Sequence, residues 1–164
     1  WRANGPPVGR YFPRMFVESV AYALIFGTVT GLLTGLLLKG PRGLAILLQD
    51  GVMTLPTQIM VSLGAGIYEE ILFRVIIVSA LAKLAGSGFG WRPWAAGAFA
   101  TVVGAFIFSA FHYIGPLGDT LEIGSFVFRM VAGVLLSGLF LARGFGIAAW
   151  THALYDVFLA LRGF

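Results

Sequence analysis

The run from Gly66 to Ile77 (Gly-Ile-Tyr-Glu-Glu-Ile-Leu-Phe-Arg-Val-Ile-Ile) sets Glu69, Glu70 and Arg74 inside an apolar segment long enough to cross a bilayer. A charge at the centre of hydrocarbon costs about 2.5–3.5 kcal/mol on insertion scales. Three of them within six positions must therefore be paired or put to use. On a helix Glu70 and Arg74 stand four apart on one face, acid before base, the favourable order for an ion pair. Glu69 is turned by about 100° from Glu70 and has no partner on its own helix. One pair is neutralised and one carboxylate is spare. The spare carboxylate is the first candidate for chemistry.

Composition agrees with a membrane setting. Of 164 residues, 59% are hydrophobic and 11% are charged, with a mean hydropathy of +0.91, whereas soluble domains carry about 25% charged residues. At about 20 residues per crossing, the chain has room for an all-α, polytopic membrane helix bundle of about five transmembrane helices. The net charge of +4 is spread singly around the apolar segments. It reads as topology-setting charge rather than a nucleic-acid surface, so the bilayer is the expected partner and nucleic acid is not. With no cysteine, disulfides, thiolate catalysis and Cys-ligated metals are excluded.

Residues 1–14, with Pro6, Pro7 and Pro13 and three arginines, read as an N-terminal tail. Residues 15–51 read as a first membrane helix, Met15 to Leu38, followed by an interfacial or re-entrant piece, Gly43 to Gly51. Glu18, four residues after Arg14, suggests an interfacial pair. Residues 52–164 form the expected core. Its helices run from about Thr54 to Leu84, Ala95 to Tyr113, Ile123 to Ala142 and Ile147 to Leu161, with Gly86–Trp94 as a loop. Lys and Arg favour the side that holds the tail, Lys83, Arg92 and Arg143, so a cytoplasmic N-terminus is expected. The glycines at 27, 31, 35, 64, 66, 97, 104, 133 and 138 suit close helix packing.

Both histidines and three of the seven acids fall in the expected membrane helices. Unshared polar groups in hydrocarbon need one another, so Glu69, His112, His152 and Asp156 are expected to converge. His152 and Asp156 are four apart on one face, as are Phe108 and His112, where the aromatic ring can fix the orientation of the imidazole. A Glu beside a His can hold a water and take its proton for attack on a carbonyl carbon. A second His with its helical neighbour can support the oxyanion. The same Glu69, His112 and His152 are also the His₂Glu set of a hydrolytic zinc site, so Zn²⁺ is possible, although no His-Glu-x-x-His signature demands it. With straight helices, His112 near the far end of its helix and His152 near the start of its own would lie at different depths. Arg129, two turns inside its helix, reads either as snorkelling or paired with Glu122, or as an anchor for a substrate carboxylate.

Glu69-Glu70-x-x-x-Arg74, Phe108-x-x-x-His112 and His152-x-x-x-Asp156, in that order on membrane helices, resemble the signature of the CAAX protease and bacteriocin-processing (CPBP, or Abi) membrane proteases. These are relatives of the type II CAAX prenyl endopeptidase. The resemblance covers about Val52 to Phe164 and implies an intramembrane endopeptidase. Its implied substrate is a prenylated CAAX-like tail or a peptide of bacteriocin maturation or immunity. It also implies that Glu69 and His112 activate water, that His152 and Asp156 support the oxyanion, and that Glu70 and Arg74 orient the site. The family has been described both as metalloproteases and as glutamate-type. Asp156 stands where Asn is the commoner family residue. It would donate to an oxyanion only when protonated, or would orient His152 instead. The implied setting is a bacterial or archaeal cell membrane. The readings from other classes are a proton or ion relay built on the same four residues, and a protease-fold scaffold without activity. A transporter's inverted repeat is not visible in the sequence.

Overall fold

The computed structural model describes residues 9, 11–39, 54–115 and 118–162, which hold five helices and no strand. They are α1 (Tyr11–Leu38), α2 (Leu55–Gly88), α3 (Pro93–Phe111), α4 (Ile123–Arg143) and α5 (Phe145–Arg162). The first four are long and apolar enough to cross a membrane. The chain is thus an integral membrane protein with a polytopic helical-bundle fold. Helix α5 is the central element, packed by α1, α2 and α4. Eight of its residues between Ile147 and Tyr155 are buried, so protein rather than lipid surrounds its polar groups.

Several boundaries differ from the sequence reading. Helix α1 begins at Tyr11 rather than Met15, because Pro13 falls in its first turn, where a missing N–H costs nothing. Helix α2 continues through Gly86–Gly88 in a wide π-helical turn, so the expected loop shrinks to Phe89–Arg92. Pro93 then opens α3 after an extended Arg92, with its φ preset for a helix start. Gly43–Gly51 and most of the tail lie outside the described residues.

Glu18 does not pair with Arg14. Its carboxylate takes two hydrogen bonds, each of 2.7 Å, from Nε and Nη2 of Arg143. The start of α1 is thereby fastened beside the α4–α5 turn, where Gly144 takes φ 88°. Thr30 and Thr34, buried in α1, donate to the carbonyls four residues earlier. This back-bonding satisfies hydroxyls that have no water in hydrocarbon. Phe26 of α1, Phe128 and Leu136 of α4, and Leu154 and Tyr155 of α5 form the core between the three helices.

Helices α2 and α5 touch backbone to backbone at Gly66. A Cβ there would lie 2.6 Å from Ala153 Cβ and 2.7 Å from Ala153 Cα and N. Gly64, Gly97 and Gly138, by contrast, have nothing within 4 Å, so their expected packing role does not hold. Gly66→Val should push α2 from α5 and lower the unfolding midpoint in detergent, an overpacking cost of about 1–3 kcal/mol. Gly64→Val should leave the midpoint unmoved. An equal effect of the two substitutions would contradict this packing.

Candidate active site

Helix lengths bring the separated motifs to one level. Glu69 lies nineteen residues before the end of α2 at Gly88, and His112 lies nineteen residues after Pro93, across a short connection. Helix α2 has 34 residues and α3 has 19, so the end of α3 falls opposite the middle of α2. His152 lies eight residues past Gly144, in the middle of α5 rather than near its start. The depth mismatch expected from straight helices of equal span is therefore corrected. Directly after Glu69, α2 widens into a π-helical stretch, Glu70–Val78, a local device frequent at functional sites.

Glu69, His112, Arg129, His152 and Asp156 line one cavity of about 240 Å³, whose apolar lining includes Phe26, Phe128 and Leu136. His112 Nδ1 lies 2.8 Å from the Phe108 carbonyl. A carbonyl only accepts, so Nδ1 carries the hydrogen. Neutral His112 then presents the lone pair of Nε2 to the cavity, 3.9 Å from Glu69 Oε2. The Phe108 ring also meets the imidazole edge-on at 4.9 Å, so Phe108 touches His112 twice.

His152 sits between carboxylates. Its Nδ1 is hydrogen-bonded to Glu70 Oε1 at 2.9 Å. Its Nε2 lies 3.8 Å from Glu69 Oε2 and 3.5 Å from Asp156 Oδ2. The adjacent residues Glu69 and Glu70 thus approach the two nitrogens of one ring. Glu70 is fully buried and lies 3.1 Å from Arg74 Nη1, without the alignment of a hydrogen bond. The Arg74 guanidinium in turn lies over the Phe108 ring at 4.5 Å, an attractive contact for a cation.

Sequence spacing missed two of these relations. The carboxylate that holds His152 Nδ1 is Glu70, 82 positions away. Asp156 stands on the cavity side of the ring and does not take that orienting place. Arg129 does not pair with Glu122. The chain after α3 folds back, with Asp119 N–H donating to the His112 carbonyl at 2.9 Å. That brings the Asp119 carboxylate onto Arg129 Nη2. Arg129 Nη1 donates to the Tyr113 hydroxyl at 2.9 Å, and the Tyr113 and Ser125 hydroxyls share a 2.6 Å bond.

Glu69 Oε2 and the two Nε2 atoms are donor types that zinc accepts, with each Nδ1 engaged by a carbonyl or carboxylate as in many metal sites. Among the described residues, however, no three His, Asp or Glu side chains are gathered into a metal-binding group.

A family model described as Type II CAAX prenyl endopeptidase Rce1-like matches residues 51–158. The match contains every polar residue of the cavity and leaves α1 outside it. No curated protein and no solved structure matches.

Proposed function

The chain belongs to the Rce1-like family of type II CAAX prenyl endopeptidases, and we propose that Glu69 and His112 activate a water for hydrolysis of a prenylated C-terminal tail. Of the two substrates that the motifs suggest, the prenylated tail is the one this family's description supports; nothing comparable favours a bacteriocin-related peptide. The cavity suits such a tail chemically, with an apolar wall for the lipid and a polar wall at the reacting carbonyl.

The reading rests on one observation: Glu69 Oε2 and the lone pair of His112 Nε2 face each other across 3.9 Å. A water between them donates one hydrogen to each, and its lone pair is left for the carbonyl carbon. As the new C–O bond forms, Glu69 takes the proton. The carbonyl oxygen becomes an oxyanion beside His152 Nε2 and Asp156. His152 as an imidazolium, with Nδ1 held by Glu70, donates Nε2–H to that oxygen, and Asp156 donates when protonated. The tetrahedral intermediate collapses as Glu69 passes its proton to the leaving nitrogen. The C–N bond breaks, the second hydrogen of the attacking water passes to the lone pair of His112 Nε2, and a carboxylate and an amine leave.

Glu69, His112 and His152 are not gathered into a metal-binding group among the described residues, so zinc, if bound, would have to draw these three together and would then supply Lewis-acid polarisation at the same carbonyl. The test is elemental analysis of chelator-treated protein, assayed on an S-farnesylated tail peptide. Full activity without stoichiometric zinc is the expected result. If removal of zinc stops cleavage and zinc restores it, His152 becomes a ligand and the metal-free step is wrong.

A further inference from the structure

Arg129 is a cation lining the cavity that holds Glu69, His112, His152 and Asp156, and the hydrolytic step leaves it without a task. Its guanidinium is held from three sides. Nη1 donates to the Tyr113 hydroxyl at 2.9 Å, the carbon lies 5.2 Å from the Tyr113 ring centre, and Nη2 meets the Asp119 carboxylate. The first two contacts both come from Tyr113, two residues past the end of α3, and set the orientation of the group. The third comes from the segment before α4, and the Asp119 side chain is 57% exposed against 24% for Arg129. A carboxylate anchored by its exposed half is the exchangeable member of the set, because water solvates it readily once it leaves.

Position along the helix supplies a length. His152 lies eight residues after Gly144 and Leu136 eight before it, so these two share a level across the α4–α5 turn. Arg129 is seven residues further along α4, about 10 Å by helical rise. An extended peptide spans about 3.3–3.6 Å per residue, so a chain cut beside His152 needs only a few residues to reach the level of Arg129. A planar guanidinium recognises a carboxylate by parallel, charge-assisted hydrogen bonds. A peptide of that length offers one carboxylate whatever its side chains: its own C-terminus.

We infer that Arg129 binds the C-terminal carboxylate of the peptide being cut, and that Asp119 occupies the same guanidinium until that carboxylate displaces it. The inference deepens the tail-hydrolase reading and uses its scissile position. Arg129 marks the chain end relative to the cut, and Asp119 keeps the partly buried cation paired between substrates, since a cation inside a membrane protein is costly when unpaired. Binding a carboxylate exchanges one ion pair for another and leaves no charge uncompensated.

The test measures binding separately from turnover. The probe is an S-farnesylated tail in which the scissile C(=O)–NH is replaced by C(=O)–CH₂, made once with a free C-terminal acid and once as the amide. Its affinity for the full chain in detergent is read for the wild type, Arg129→Gln and Asp119→Asn. The wild type should prefer the acid by about tenfold, the scale of one charge-assisted contact. Arg129→Gln should erase the preference by weakening the acid alone. Asp119→Asn should tighten the acid several-fold and leave the amide unchanged. Equal binding of acid and amide to the wild type overturns the inference, as does a preference that survives in Arg129→Gln. If Arg129→Gln fails to fold, Asp119→Asn still decides, since an unchanged or weakened acid form contradicts displacement. Acid-selective binding by a wild type that cuts no amide peptide would remove the hydrolase reading and leave this one standing.

Discussion

Glu69→Gln should slow tail hydrolysis by about 10²–10⁴-fold, the range attributed to a positioned general base, and leave the unfolding midpoint where it was. Gln keeps the shape of Glu and can still hold the water, but an amide cannot take its proton. The fold does not depend on the lost charge. Glu69 is 17% exposed in its side chain, faces the cavity, and approaches its two histidines only at 3.8 and 3.9 Å. Cleavage of a farnesylated peptide, followed by mass spectrometry beside thermal unfolding in the same detergent, separates the two effects. A variant that loses activity only in proportion to lost folded protein would make Glu69 a structural residue.

The second large effect falls one residue on. Glu70→Gln should destabilise the protein by about 3–5 kcal/mol, because it leaves the buried Arg74 guanidinium without its counter-charge, whereas Arg74→Met should cost less, because Glu70 keeps His152 as a partner. Both side chains are essentially inaccessible, at 0% and 1% exposure. The Glu70→Gln/Arg74→Met double variant should recover much of that loss, since removing both charges removes the desolvation problem with the attraction. His152 gives a second readout. Glu70 is its Nδ1 partner, so the double variant should remain impaired in turnover even where it folds. A mild effect of Glu70→Gln, or no recovery in the double, would mean that Arg74 finds compensation elsewhere.

Adjacent carboxylates with such different expected effects were legible in the sequence, because the partner of Glu70 is Arg74, four residues away on the same helix. The membrane class was legible too, from apolar runs with few charges, and so was the grouping of Glu69, His112, His152 and Asp156, since isolated polar groups in hydrocarbon need company. Relations between helices were not. Nothing in the spacing of Glu70 says that it will meet His152, because that contact depends on α2 and α5 touching at Gly66 and Ala153. The pairs Glu18–Arg143 and Asp119–Arg129 were misassigned for the same reason. Local partners, Arg14 and Glu122, stood at helical spacing and were preferred over distant ones. His112 does close α3 as expected, but its match in depth with the other polar groups was missed, because His152 falls in the middle of α5 rather than near its start and residues near Gly86 looked like a loop. Once α2 runs on to Gly88, counting back from the α2–α3 connection sets Glu69 and His112 level.

In the proposed mechanism the oxygen entering the cleaved bond comes directly from a water held by Glu69 and His112. Single-turnover cleavage in H₂¹⁸O tests it, with enzyme in excess over the farnesylated tail peptide and the new carboxyl group analysed by mass spectrometry. Direct attack by water places one ¹⁸O in that carboxyl in the first turnover, and Glu69→Gln gives no product on the same timescale. An unlabelled carboxyl, with the label appearing in Glu69 instead, would show that Glu69 is a covalent nucleophile and would contradict the account.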